Sequence, residues 1–199
     1  MMSFSERKLK EFVKELSSAS PTPGGGSASA VVGSLGAALV AMDCNLTLGK
    51  EAYRQVAARV GEIKRRAVRV SAELLRCSDR DARSFEGVMK AISLPKNTEL
   101  QKLKRFERVQ AALKKATEVP LQIMELCSEL ESMATYMAEN GNRNSRSDAV
   151  VGGILASAAL KGAYENLEIN LESIKDDAFV EEMNRRALEL MRSPPQFTR

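Results

Sequence analysis

The chain reads as an all-α domain, a bundle of five to six helices with one long helix, and three observations predict it. No segment alternates apolar and polar residues for the length of a strand. Ala, Leu, Glu, Lys, Arg and Met are abundant, while aromatic residues make up 5% and Trp is absent, a composition of strong helix formers. Apolar residues recur at three- and four-residue steps, most clearly from Val56 to Ile92. No linker or internal repeat divides the sequence, so residues 1–199 are expected to form one domain, long enough to bury a substantial core.

Ser3 or Ser5 is positioned to cap a first helix carrying Leu9, Phe12, Val13 and Leu16, which ends before Pro21. The stretch Pro21-Thr22-Pro23-Gly24-Gly25-Gly26-Ser27 then writes a stop, an open glycine loop and a helix start. Glycines there permit positive φ and close approach of bare N–H groups to a ligand. Ser27 or Ser29 is the expected cap of a helix running to about Leu48, whose N-terminus favours a negative group. Its ridge of Ser29, Gly33, Ala37 and Ala41 admits a closely packed backbone, in the core or at a subunit contact.

After Gly49 a long helix is predicted from Lys50 towards Ile92, with Val56, Val60, Ile63, Ala67, Val70 and Leu74 in heptad-like alternation. The same count continues through Cys77, Asp81, Phe85, Val88 and Ile92, which sets Asp81 on the buried seam. A carboxylate there is costly unless paired, hydrogen-bonded or functional. Asn97 or Thr98 caps the next segment, Glu99 to Glu139, with apolar positions Leu103, Phe106, Leu113, Ile123, Met124, Cys127, Leu130 and Met137; Pro120 should kink or split it. Asn140-Gly141 stops it. A polar loop follows, then a helix from Asp148 to about Ile174 with Leu155, Ala159, Gly162, Asn166 and Asn170 on one face. Asp176 or Asp177 caps a last helix to about Met191, and Pro194-Pro195 closes the chain. The small-residue face and the heptad helix offer more packing surface than one bundle of this size needs, so a homodimer is expected.

Composition narrows the function. Hydrophobic residues make up 44% and charged residues 28%, and the net charge is +4 with both signs interspersed. No basic block with interleaved aromatics supports nucleic-acid binding. Cys44, Cys77 and Cys127 form no CxxC pair and read as free thiols in a reducing, cytoplasmic setting. The uncharged run from Ser17 to Met42 is interrupted by Pro, Gly and Ser, so no membrane span is expected. Histidine is absent, which removes a Ser-His-Asp or Cys-His arrangement and leaves no metal-ligand pattern. Gly49-Lys50 lacks the upstream glycine and the strand of a P-loop.

What remains is a set of polar residues placed where helices should be apolar or should begin. They are Gly24, Gly25, Gly26 and Ser27, Asn45 and Lys50, Asp81, Asn144 and Asp148, and Asn166 and Asn170. Each has a structural alternative: Asp148 as a first-turn acid, Asn166 and Asn170 as a core hydrogen-bond pair. Together they suggest a polar pocket among packed helices.

Those residues sit in blocks that resemble the cyclodeaminase domain of the formiminotransferase-cyclodeaminase family. The blocks are Pro23-Gly24-Gly25-Gly26-Ser27-Ala28-Ser29-Ala30, Leu46-Thr47-Leu48-Gly49-Lys50 with Tyr53, Asp79-Arg80-Asp81-Ala82-Arg83-Ser84-Phe85, Leu94-Pro95-Lys96, Val119-Pro120-Leu121, Gly141-Asn142, Ser147-Asp148-Ala149 and Asn166-Leu167-Glu168-Ile169-Asn170-Leu171. They recur in the family's order over roughly residues 5 to 180, although Asp-Glu-Asp is common where this chain has Asp79-Arg80-Asp81. The resemblance implies an all-α dimer acting on one-carbon units of tetrahydrofolate, with no cofactor beyond that substrate. Formimidoyltetrahydrofolate cyclodeaminase is the leading expectation, methenyltetrahydrofolate cyclohydrolase the alternative, and a non-catalytic folate-binding or helical interaction protein the third. Asp81 and then Asp148 are the expected proton-moving groups, because a desolvated carboxylate is the natural choice without histidine. Asn144, Asn166 and Asn170 would orient the folate, and Gly24 to Ser27 with Lys50 would approach it. Surplus Lys and Arg would favour polyglutamylated substrate.

Overall fold

The computed structural model describes residues 3–192, so Pro194-Pro195 lie outside the described residues. Six α-helices account for most of them: α1 (Leu9–Leu16), α2 (Gly25–Thr47), α3 (Ala57–Ile92), α4 (Glu99–Asn140), α5 (Arg146–Leu171) and α6 (Asp177–Met191). Among the described residues there is no strand. Two helices, not one, are long: α3 has 36 residues and α4 has 42.

α2 is the central helix, packed on α3, α4 and α5. Its small residues allow this. Gly33 lies against Cys127, Leu74 and Ala159, and a Cβ at Gly36 would sit 2.7 Å from the Gly152 carbonyl oxygen. Ser29, Gly33, Ala37 and Ala41 are all buried, so the small-residue ridge serves the core of the subunit. α2 is long and apolar enough, by length and composition, to cross a membrane, and 56% of the relevant stretch is buried inside the bundle.

Other boundaries follow from local chemistry. Gly49 adopts φ 81°, and residues Glu51–Val56 form a 3₁₀ turn, so α3 starts later than Lys50. That turn is held from across the bundle, with the Arg143 N–H donating to Tyr53 Oη at 3.0 Å. α4 opens with a Thr98–Gln101 capping box and α6 with Asp176, whose Oδ1 accepts from the Phe179 N–H. α1 starts after Lys8 without a side-chain cap, while Ser3 donates to Asp79 instead. Of its apolar residues only Phe12 is buried, against Phe4 and Ala82; Leu9, Val13 and Leu16 are exposed.

Pro120 does not split α4. A proline lacks the N–H that would bond the carbonyl four residues back, here that of Ala116, and Asn170 Nδ2 of α5 donates to that oxygen at 3.4 Å. Leu103 and Phe106, expected in the core, are exposed near the start of α4.

Candidate active site

The α3 seam follows the predicted count from Val60 through Cys77, all buried. Beyond it the count passes from core to cavity. Asp81, Phe85, Val88, Met89 and Ile92 line a space of about 420 Å³ between α3, the start of α2, α4 and α5. Gly24, Gly25, Asn166 and Asn170 face the same space, with Ser84, Ile169 and Ser173. One end is polar, around Asp81 and the two carboxamides; the other is apolar, around Phe85, Met89, Ile92 and Ile169.

Asp81 is held by the first turn of α2. Ser27 Oγ lies 2.9 Å from Asp81 Oδ2 and 3.0 Å from the Ser78 carbonyl oxygen, and the Ser27 N–H also bonds the carboxylate. The acid therefore caps α2 from another helix, replacing the expected Ser27 or Ser29 cap. Gly24, which has no side chain to offer, is the N-cap residue, and Ser29 Oγ donates back to the Gly25 carbonyl. Burial pushes the Asp81 carboxyl above the ordinary carboxylate range, against the lowering effect of the two Ser27 hydrogen bonds.

The glycines are not there for left-handed backbone, since Gly49 alone has positive φ among the described residues. They make room for side chains. A Cβ on Gly26 would lie 2.3 Å from Asp81 Oδ1, and one on Gly25 would lie 3.1 Å from Asn166 Nδ2. Asn166 and Asn170 do not bond each other. Asn166 Nδ2 donates to the Gly162 carbonyl at 2.7 Å and Asn170 Nδ2 to that of Ala116, which leaves their Oδ1 atoms to accept from a ligand.

The remaining predicted residues gather elsewhere. Asn45, Lys50, Asn144 and Asp148 lie around the far end of α2, where Asn45 stands about 28 Å along that helix from Gly26 at 1.5 Å per residue, and none lines the cavity. At their centre stands Asp43, which the sequence reading passed over although it is the one charge between Gly25 and Thr47. Asp43 is 0% exposed. Ser145 Oγ donates to Oδ1, and Oδ2 has no partner. Burial raises its carboxyl above the usual range; the Ser145 bond and the Lys50 charge oppose the rise, and the Asp148 charge adds to it. The neighbouring loop is tightly tied: the Asn142 N–H donates to Thr47 Oγ1 at 2.9 Å and Asn142 Nδ2 to the Leu46 carbonyl at 3.0 Å. Gly141 fits because a Cβ there would meet Asp43 Oδ2 at 2.7 Å.

Fold and cavity define a class, an all-α bundle with a carboxylate- and carboxamide-lined cavity of small-molecule size. Residues 8–189 match the family described as Formiminotransferase-cyclodeaminase. Over 174 residues the chain is 41% identical to the Methenyltetrahydrofolate cyclohydrolase of Methylorubrum extorquens, covering 87% of this chain and 84% of that one. It is 34% identical over 186 residues to the Formimidoyltransferase-cyclodeaminase of Mus musculus, covering 94% of this chain and 34% of the mouse protein, so it spans about a third of that relative's length. The solved structure of formiminotetrahydrofolate cyclodeaminase from Thermotoga maritima superposes with a TM-score of 0.86 at 30% identity, covering 94% of this chain and 89% of that one. The chain belongs to the formiminotransferase-cyclodeaminase family.

Proposed function

We propose that the protein is a 5,10-methenyltetrahydrofolate cyclohydrolase, with Asp81 as its proton-moving group. The observation that carries the reaction is the Methylorubrum cyclohydrolase, similar at 41% identity over most of both chains. It reverses the order expected from sequence, where cyclodeamination came first. The Thermotoga cyclodeaminase, similar over nearly the whole fold, keeps cyclodeamination as the second reading.

The substrate carries a cationic N5–CH–N10 bridge. A carboxylate beside that bridge favours the cation electrostatically, and one whose pKa is raised is a better proton acceptor than an ordinary Asp. Water gives a proton to Asp81 as its oxygen bonds the methenyl carbon. The proton passes to N5 as the C–N5 bond breaks, and the hydroxyl of the tetrahedral intermediate releases its proton to leave the 10-formyl product. Ser27 holds the carboxylate in line through its two hydrogen bonds. Asn166 and Asn170 accept from the pterin's N–H groups, while Phe85, Met89 and Ile92 pack against the aminobenzoyl ring. Preference for a polyglutamate tail and assembly as a homodimer belong to the same proposal.

The test follows the methenyl absorbance with purified protein and two substrates in separate reactions. Loss of absorbance from methenyltetrahydrofolate, well above the spontaneous rate, is the expected result. Rapid formation of absorbance from 5-formiminotetrahydrofolate, with no acceleration of the first reaction, would overturn it in favour of cyclodeamination.

A further inference from the structure

Several exposed basic residues of this chain reach a glutamate: Arg54, Arg59, Lys102, Arg185 and Arg186 each do so. One hollow departs from that pattern. Arg80, Arg83, Ser84 and Gly87 of α3 face Ala112, Lys115, Glu118 and Val119 of α4 across a groove of about 310 Å³. Among the described residues neither Arg83 nor Lys115 makes an ion pair, and Arg80 donates to the neutral Gln122 carboxamide. Glu118 is the one acid in the lining, and it pairs with none of the three cations. Arg80, Arg83 and Gly87 stand on one stripe of α3, at steps of three and four residues. Like charges so placed disfavour the helix that carries them, and Lys115 adds a third from across the groove. The fold gains nothing from this gathering, whereas an anion seated among the three would relieve their repulsion.

Gly87 is a second, independent observation. It lies inside α3, where glycine is disfavoured, and its φ is not positive. At Gly26, Gly36 and Gly141 a Cβ would strike a neighbour, but at Gly87 it would meet nothing within 4 Å. Neither backbone conformation nor packing within the subunit calls for glycine there. What the bare Cα does leave is a groove wall that a ligand can approach closely. The chemistry of the wall sets the ligand's charge. Arginine forks take carboxylate or phosphate oxygens in pairs, and lysine adds a movable point charge.

We propose that this groove is a binding site for a small polyanion, one carrying two or more carboxylate or phosphate groups, held by Arg80, Arg83 and Lys115 in the space that Gly87 leaves open. The site is separate from the cavity around Asp81 but adjoins it, since Ser84 lines both. Two sources share the required chemistry: the carboxylates of the substrate's own glutamate tail, and a free anion. Binding of either stands apart from the reaction proposed above.

Isothermal titration of the purified protein at low salt, with inorganic pyrophosphate and separately with γ-linked triglutamate, tests it. One equivalent of probe per chain is expected, with an affinity that falls at physiological salt as the exposed charges are screened. Arg83→Ala and Lys115→Ala should each weaken binding about tenfold, the loss of one charge-assisted hydrogen bond. Gly87→Glu sets a carboxylate in the groove and should abolish binding. It should also melt at a higher temperature than Gly87→Gln at low salt, and the difference should shrink as salt is added; the two residues have similar helix propensity, so the comparison isolates the charge. Binding of neither probe would overturn the proposal, as would binding that Gly87→Glu leaves intact, or equal melting of the Glu and Gln variants at low salt. Turnover then assigns the source. A lower KM for triglutamyl than for monoglutamyl substrate, lost in Gly87→Glu, gives the groove to the substrate's tail. Equal KM values with the probes still bound give it to a free anion. Turnover of neither substrate would overturn the reaction proposed above and leave the titration result standing.

Discussion

Gly26→Ala is the most informative small perturbation of the cavity. Within a helix, Ala is favoured over Gly by roughly 0.8–1.0 kcal/mol, so the backbone of α2 gains from the change. The added methyl carbon would lie 2.3 Å from Asp81 Oδ1, 2.7 Å from its Cγ and 2.9 Å from Oδ2. An ordinary non-bonded separation is about 3.5 Å, so the carboxyl group must move by about 1 Å. Being the end of a side chain facing a cavity, it can turn away, and the global stability should change by less than about 1 kcal/mol, at the low end of overpacking costs. Turning away breaks the Ser27 hydrogen bonds and moves the proton acceptor. A displacement of about 1 Å costs on the order of 100-fold in rate when geometry governs the chemistry. The assay is kcat/KM for methenyltetrahydrofolate alongside a urea titration, for Gly26→Ala, Asp81→Asn and the double variant. Because both act through one carboxylate, the double variant should be no slower than Asp81→Asn alone. Wild-type turnover by a folded Gly26→Ala protein, or losses that multiply in the double variant, would refute the reasoning.

Three further outcomes are expected. Ser27→Ala removes a hydrogen bond that lowers the Asp81 pKa, so the acid limb of the kcat/KM–pH profile should move to higher pH; an unmoved limb would show that Asp81 does not control it. Asp43 has a pKa raised above its ordinary value of 3.8, so its ionisation opposes folding: the penalty is absent below pH 3.8 and grows as pH rises through the raised value. Asp43→Asn keeps the Ser145 contact and should gain about 1–3 kcal/mol on wild type between pH 4 and pH 7.5, the cost range of an unsatisfied buried group, as read from urea midpoints; a pH-independent difference would refute this. Asn170→Ala should cost about 1 kcal/mol by orphaning the Ala116 carbonyl, and less in a Pro120→Ala background, where the restored backbone N–H supplies the donor.

Much of the fold was legible because helix periodicity and end signals are local. Thr98, Asp176 and Gly141 act at helix ends, as their residue types imply, and the count from Val56 put Asp81 on the seam without any tertiary information. The positive φ expected of the glycine triplet does not occur, and its actual use was hidden for the opposite reason. What it accommodates, the Asp81 carboxylate and the Asn166 carboxamide, arrives from helices far along the chain. Pro120 was expected to break α4 because its carbonyl partner, Asn170, comes from α5. Asp148, Asn144, Asn45 and Lys50 do not line the cavity that holds Asp81; Asn45 stands near the opposite end of α2 from Gly25, a separation that the continuous helix expected to about Leu48 already implied. Asp43 carried a signal, a single acid in an otherwise uncharged helix, that the small-residue ridge overshadowed.

The central claim is that Asp81 moves the proton, and Asp81→Asn examined for turnover, folate binding and stability together tests it most directly. No Arg pairs with Asp81 among the described residues; its partners are the Ser27 hydroxyl and N–H. The penalty of about 3–5 kcal/mol for stranding a buried charge therefore does not arise, and Asn still accepts from Ser27. The account predicts a folded protein that binds tetrahydrofolate within a few-fold of wild type and turns over methenyltetrahydrofolate roughly 100- to 10,000-fold more slowly. A folded Asp81→Asn protein with wild-type turnover would contradict it.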